Sequence, residues 1–151
     1  MNPGDAGDDP FDLARFVAAQ AGVIDAVRAE LAAGAKTSHW MWFAFPQLRC
    51  LGRSGTAQRY GIGSLDEARA YAAHPVLGAR LVECGALLAR HRTKSAVEIF
   101  GPVDALKLRS CLTLFERATP GEPLFGALLG QFHAGERCAL TLAWLDDPAR
   151  R

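Results

Sequence analysis

The chain has 151 residues, half of them apolar, with 17 lysines and arginines against 16 aspartates and glutamates. That length suits one domain able to bury its own core, and the balanced charge excludes the concentrated basic field of a nucleic-acid or membrane-surface binder. No apolar run reaches the ~18 residues that a membrane span needs.

The opening "MNPGDAGDD" is polar and acidic, without the basic and apolar regions of a secretory leader. Residues 1–9 read as a loose tail. Asp9 is placed as an N-cap, Pro10 as the first helical residue and Asp12 as a capping-box partner. Leu13, Phe16, Val17, Gln20, Ile24, Val27 and Leu31 recur at steps of three and four. This spacing predicts one amphipathic helix over residues 10–33, ending at Gly34. Gln20 lies on its apolar stripe and needs a partner, either in the core or in a pocket wall.

The segment "KTSHWMWFAFPQ", residues 36–47, is dense in aromatic side chains. Pro46 ends any helix there. If Ser38 caps a short helix, His39 shares a face with Trp42 and Phe43, while Trp40 points elsewhere. The aromatics serve either as core or, through a tryptophan face, as the wall of a binding slot. Gln47 suits a ligand-orienting amide or a hydrogen bond that braces the loop. In "LGRSGTAQRYGIGS", residues 51–64, glycines and serines surround Arg53, Arg59 and Tyr60. Such turns can cradle a phosphate, although this one matches neither the Walker pattern nor the dinucleotide fingerprint.

Ser64 with Glu67 and Ser95 with Glu98 form Ser-x-x-Glu boxes that open two further helices. His74-Pro75 breaks the first before "VLGARLVECGALLARH" resumes the helical period, and His74 reads as a cap or surface residue. His91 falls at a solvated helix end, and His133 in the last turn of "LFGALLGQFHAG". The turn "AVEIF" is closed by Gly101-Pro102. In the helix that follows, Leu108, Cys111, Leu112 and Phe115 form one apolar stripe while Leu106 and Leu114 point away from it, so other helices should surround it. Lys107 and Arg109 flank Leu108 on opposite sides at about 100° per residue. Each needs an anion, a set of carbonyls or a ligand, and Asp104 can serve one of them. Ser110 follows Lys107 by three positions, the reverse of the acylating Ser-x-x-Lys order, which argues against a serine nucleophile. "ERCALTLAWL" is the last helical run. No run alternates with period two for long enough to make a strand. The fold class is all-α, a single multi-helical globular domain over residues 10–146 with about six or seven helices, two of them short. Residues 147–151 read as a C-terminal tail.

Cys50, Cys84, Cys111 and Cys138 form no CxxC or CxH pair, and no histidine or acid cluster has metal-ligand spacing. No metal is expected. Thiols in or beside apolar stretches read as small buried residues, and a reducing cytoplasm is the simplest compartment.

Several blocks together resemble a bacterial family of unknown function, DUF1810, whose structural superfamily is called Rv1873-like. They are "DPFDLARFVAAQ", "SHWMWF" with "FPQ", "LGRS", "RYGI", "SLDEARAY", "HPVLGARL", "EIFG" and "DALKLRS" with "TLF", spread from about Pro10 to Leu145. The resemblance implies one multi-helical domain and transfers no activity. Cys111 stands where a second serine is common in that family, which removes a hydroxyl pair at 110–111 as an essential device.

The leading expectation is a small-molecule pocket where Ser38–Gln47 meets the helix from Pro102 to Phe115. Its ligand is anionic and nucleotide-like, with Trp40 stacking, Gln47 orienting, and Lys107, Arg109 or Arg59 taking the negative charge. Ser110 lines the same region, and His39 is the candidate general acid/base if the protein is an enzyme. The alternative is a non-catalytic interaction or structural module in which the aromatic segment is only core. The sequence names no cofactor, reaction or oligomeric state.

Overall fold

The structure, a computed structural model, describes residues 8–150, so residues 1–7 of the expected N-terminal tail lie outside the described residues. Ten α-helices and no strand occur among them, and seven of the helices are seven residues or longer. They are α1 (Ala14–Ala21), α2 (Ile24–Ala33), α3 (Met41–Ala44), α4 (Gly55–Tyr60) and α5 (Leu65–Ala73), then α6 (Leu77–Ala89), α7 (Ala96–Phe100), α8 (Pro102–Ala118), α9 (Leu124–His133) and α10 (Ala139–Asp146). Short 3-10 turns lie at Arg49–Leu51 and Pro148–Arg150, the latter inside the predicted C-terminal tail.

The helix predicted over residues 10–33 is two helices. The Asp9 carboxylate does cap, accepting from Leu13 N at 2.8 Å and Ala14 N at 2.9 Å. It does so across an extra turn in which Asp12 takes a left-handed φ of 52°, so Pro10 lies outside the helix and Asp12 is no box partner. Gly22 then ends α1, and Val23 leaves helical geometry before Val27 N bonds its carbonyl and α2 begins. Gly34 closes α2 at φ 70°, where a side chain would be strained. The break sends α1 against α3 and α2 against α6.

Helix α8 runs through the middle, packed by α5, α7, α9 and α10. Leu108, Cys111, Leu112, Leu114 and Phe115 are all completely buried, which places neighbours on more than one side as the sequence requires. Leu106 is the exception and stands in solvent.

Two buried polar clusters orient the N-terminal third. Gln20 is a core hydrogen-bonder: its amide donates to the Phe43 carbonyl at 2.7 Å and to Tyr71 Oη at 3.0 Å, and its oxygen accepts from Arg80. Ser95 and Glu98 make a reciprocal capping box. Ser64 caps α5 in the same way, but the Glu67 carboxylate turns inward instead of completing the box. It accepts from Gly63 N at 3.0 Å and pairs with Arg15 at 2.6 Å. Both side chains are almost fully buried, and the remaining Arg15 N–H groups donate to the carbonyls of Phe11, Asp12, Arg59 and Gly61. A charge so fully bonded is tolerated, and the same charge left alone is not.

Glu67→Ala should therefore cost about 3–5 kcal/mol, because it strands the Arg15 guanidinium inside the protein. Urea unfolding of the two proteins measures this, and the double variant Arg15→Met, Glu67→Leu should recover most of the loss.

Candidate functional site

The aromatic segment is anchored from below by Glu30. Its carboxylate accepts from the Ser38 hydroxyl, from Thr37 N at 2.7 Å, from Ser38 N at 3.0 Å and from the Trp40 indole at 2.9 Å. Ser38 is thus spent on Glu30, and Trp40 rather than Ser38 occupies the N-cap position of α3. His39 falls in the bend between them and faces solvent, so it lacks the water-poor surroundings expected of it. Trp40 is buried against Phe45 and Phe100 with Lys36 over its ring, which makes it core and not a stacking surface.

Trp42 takes the place foreseen for Trp40. It lines a groove of about 330 Å³ whose walls also include Gln47, Lys107, Arg109, Ser110 and Cys138. Four of the sequence-predicted ligand residues, Gln47, Lys107, Arg109 and Ser110, therefore meet in one cavity, while His39, Trp40 and Arg59 do not. Arg59 is exposed on α4, lying against Tyr60. The glycines around it have a structural use. A Cβ on Gly61 would run into the Arg49 backbone, and one on Gly52 into Ala57, so that loop is drawn tight by close approach rather than opened as a phosphate cradle.

Each wall of the groove has a local cause. The backbone of Gln47 is held by Ile62 N donating to its carbonyl at 2.9 Å, beside the isolated parallel bridge of Leu48 with Ile62. Its side-chain amide makes no hydrogen bond among the described residues, so loop bracing falls to the backbone and the amide is left for the groove. Lys107 lies 3.9 Å from the Trp42 ring centre and 3.2 Å from Asp104. Asp104 also holds Lys36 at 2.8 Å. Burial raises the Asp104 carboxyl, but hydrogen bonds from the two ammonium groups outweigh this and hold it below the usual carboxylate range. Arg109 reaches Glu136 only at 3.8 Å, and its Nε is buried without a hydrogen-bond partner. Ser110 donates back to the Leu106 carbonyl at 3.2 Å and lies 3.3 Å from Cys138 Sγ, with no bond to Lys107. The groove is therefore cationic along α8, flat at Trp42, and apolar at its rim, where Val103, Leu106 and Leu140 are exposed.

A wider cleft of about 460 Å³ lies by Trp144, but its arginines, Arg69 and Arg117, already pair with Asp66 and Asp146. The remaining histidines act locally. His74 Nδ1 accepts from Val76 N and Leu77 N as a cap for α6. His91 is not solvated as expected: it bonds the Leu31 carbonyl at 2.6 Å beneath Gly34. His133 is half-buried, and burial with the nearby Arg109 charge holds its imidazole below the usual value. Cys50 is exposed, against the expectation for all four thiols, whereas Cys84, Cys111 and Cys138 are buried. Sequence reasoning missed Trp42 and Cys138. The signal for Cys138 was its place directly before the apolar run of α10, a cap position.

Fold and groove define a single all-α domain with a cation-lined surface slot, and no helix among the described residues is long and apolar enough to cross a membrane. The chain belongs to DUF1810, a family described as a protein of unknown function, which matches residues 10–145. It is similar to the conserved hypothetical protein Rv1873 from Mycobacterium tuberculosis, whose crystal structure shares 55% sequence identity with it. That likeness covers 91% of this chain and 98% of the other, with a TM-score of 0.90. No curated protein matches the chain.

The Glu30 anchor predicts a pH dependence. Burial raises its carboxyl, but the hydrogen bonds from Ser38, Thr37 and Trp40 together bring it down to about 2. A depressed folded value means that its stabilisation is complete above the unfolded value of about 4.3 and fades as pH falls through the folded value. Wild type should lose stability between those limits, and Glu30→Gln should lose less over the same interval in denaturant melts taken at stepped pH.

Proposed function

We propose that the groove between α8, the Trp42–Leu51 segment and the start of α10 binds an anionic, partly planar small molecule of nucleotide-like character. The observation that carries this reading is the convergence of Gln47, Lys107, Arg109 and Ser110 on one cavity beside a tryptophan face. Arg109 supports it further, because its part-exposed guanidinium is held only loosely by Glu136 at 3.8 Å and can turn its donors to a ligand in the groove. In this reading Trp42 is the stacking wall, and Gln47 offers both an N–H donor and a carbonyl acceptor for orientation. Lys107 and Arg109 meet the negative charge. His39 stands outside the groove, so the proposal is binding, with no catalytic step assigned to it. We place the protein in the cytoplasm, a compartment that suits its three buried, unbridged thiols.

A second reading, a protein-interaction module, draws on Val103, Leu106 and Leu140 at the groove rim, all more than half exposed. The two readings differ in what stabilises the chain. Nucleotides and phosphorylated metabolites, screened by thermal shift, should raise the melting temperature of wild type by about 3 °C or more at saturating concentration. Arg109→Ala and Trp42→Leu should abolish or halve that shift. Absence of any shift across the panel would remove the anion-binding reading and leave the interaction module.

A further inference from the structure

Cys138 differs from the other buried thiols in what surrounds it. Cys84 and Cys111 rest among apolar side chains, and burial drives the first up to about 12 and the second well above its ordinary value. Both are inert packing residues. Cys138 is also nearly buried, yet it sits at the N-cap position of the eight-residue helix α10 and opens onto the groove. The Ser110 hydroxyl lies 3.3 Å from its sulfur. Thr113 fixes its backbone by accepting from Cys138 N at 2.9 Å, while donating to the Arg109 carbonyl.

Thr141, one turn into α10, is completely buried, and its hydroxyl faces the sulfur without a regular hydrogen-bond partner. A hydroxyl so placed is unsatisfied beside an ordinary thiol and becomes a donor once the sulfur carries negative charge or a polar adduct. Burial raises this thiol, but the Ser110 and Thr141 hydroxyls and the N–H groups of Thr141 and Leu140 outweigh it and leave the group below the ordinary range. Those amides close no regular cap bond to the sulfur, so they act as oriented dipoles at the helix start.

We propose that Cys138 is a nucleophilic thiol in the wall of the groove, and that its electrophile is a small disulfide carrying carboxylates. The inference rests on the anion-binding reading of the same groove for its choice of electrophile. The Cys138 thiolate attacks one sulfur of the disulfide, the bond between the two small-molecule sulfurs breaks, and a protein mixed disulfide forms. The departing half leaves as a thiolate with the electron pair and takes a proton from water. Cys138 is oxidised and one half of the disulfide is reduced, so no further oxidant is needed. Lys107 and Arg109 line the same groove and meet the carboxylates. A neutral peroxide would gain nothing from either cation. No second cysteine lines the groove, so nothing within it resolves the adduct, which persists until an external thiol removes it. The result is a reversible cap on the groove.

Peptide-resolved mass spectrometry of the intact reduced protein tests this at neutral pH, with glutathione disulfide as the anionic probe and bis(2-hydroxyethyl) disulfide as the neutral one. Cys138 should be modified by glutathione disulfide about five- to tenfold faster than Cys50, because Lys107 and Arg109 gather the anionic probe beside its sulfur. Ser110→Ala should slow Cys138 and leave Cys50 unchanged, with a circular dichroism melt checking the fold. The preference for the anionic probe should fall about threefold in Arg109→Gln. Modification confined to Cys50 with both probes overturns the nucleophile and leaves the anion-binding reading standing. Fast modification of Cys138 with no preference between probes overturns the anionic electrophile, and the anion-binding reading with it, while keeping the reactive thiol.

Discussion

Asp104 holds two lysines at once, Lys36 at 2.8 Å and Lys107 at 3.2 Å, and each lysine lies over a tryptophan, Trp40 in one case and Trp42 in the other. This bridge pins the aromatic segment to the first turn of α8. An isolated surface ion pair would contribute little, but here the Lys36 side chain is almost fully buried and the carboxylate is shared in a partly desolvated network. The groove follows from it. Trp42 and Gln47 on one strand of chain can face Lys107, Arg109 and Ser110 on the helix only if the two are held at a fixed separation. Glu30 reinforces the start of the segment by gathering Thr37, Ser38 and Trp40 around one carboxylate.

The same economy of buried charge appears where Arg15 ties the N-terminal turn to the loop before α5 through Glu67 and four carbonyls. These polar centres are internal to the helical packing rather than decorations on it. They lock relative positions that short helices could not hold alone: α3 has four residues and α4 six, well below the length at which a helix is stable unsupported. Purely apolar contacts would allow such elements to slide. A guanidinium bonded in five directions does not.

The all-α class, the surrounded α8, the capping box at Ser95 and the left-handed end at Gly34 were legible because each depends on residues within one or two turns of each other. The break at Gly22 was not, because the apolar period continues across it and only the different packing of α1 and α2 requires a bend. The groove lining divides on the same line. That Gln47, Lys107, Arg109 and Ser110 lie along one groove was foreshadowed by their placement beside a proline or on a buried helix. Trp40 and Trp42 were exchanged because the orientation of the segment depends on Glu30, ten residues before Trp40 in the chain. Similarly, nothing near His39 in sequence reveals that Ser38 turns inward and leaves the ring in solvent.

The polar residues of α8 have separate uses. Asp104 and Lys107 tie the helix to the aromatic segment, Ser110 and Thr113 face the start of α10, and Glu116 and Arg117 pair with Arg137 and Asp146. Helix stability alone gives no reason for Ser110 and Thr113 at that crossing, since apolar residues of similar size would bury more area at less desolvation. Thr113 and Ser110 instead hold the start of α10 against α8, one through the Cys138 backbone and one through its sulfur. Removing the Ser110 hydroxyl would leave the helices packed and free the Cys138 side chain to turn away from the groove, whereas removing that of Thr113 would strand the buried Cys138 N–H and cost the fold as well. The polar cluster at this crossing therefore serves packing and groove together.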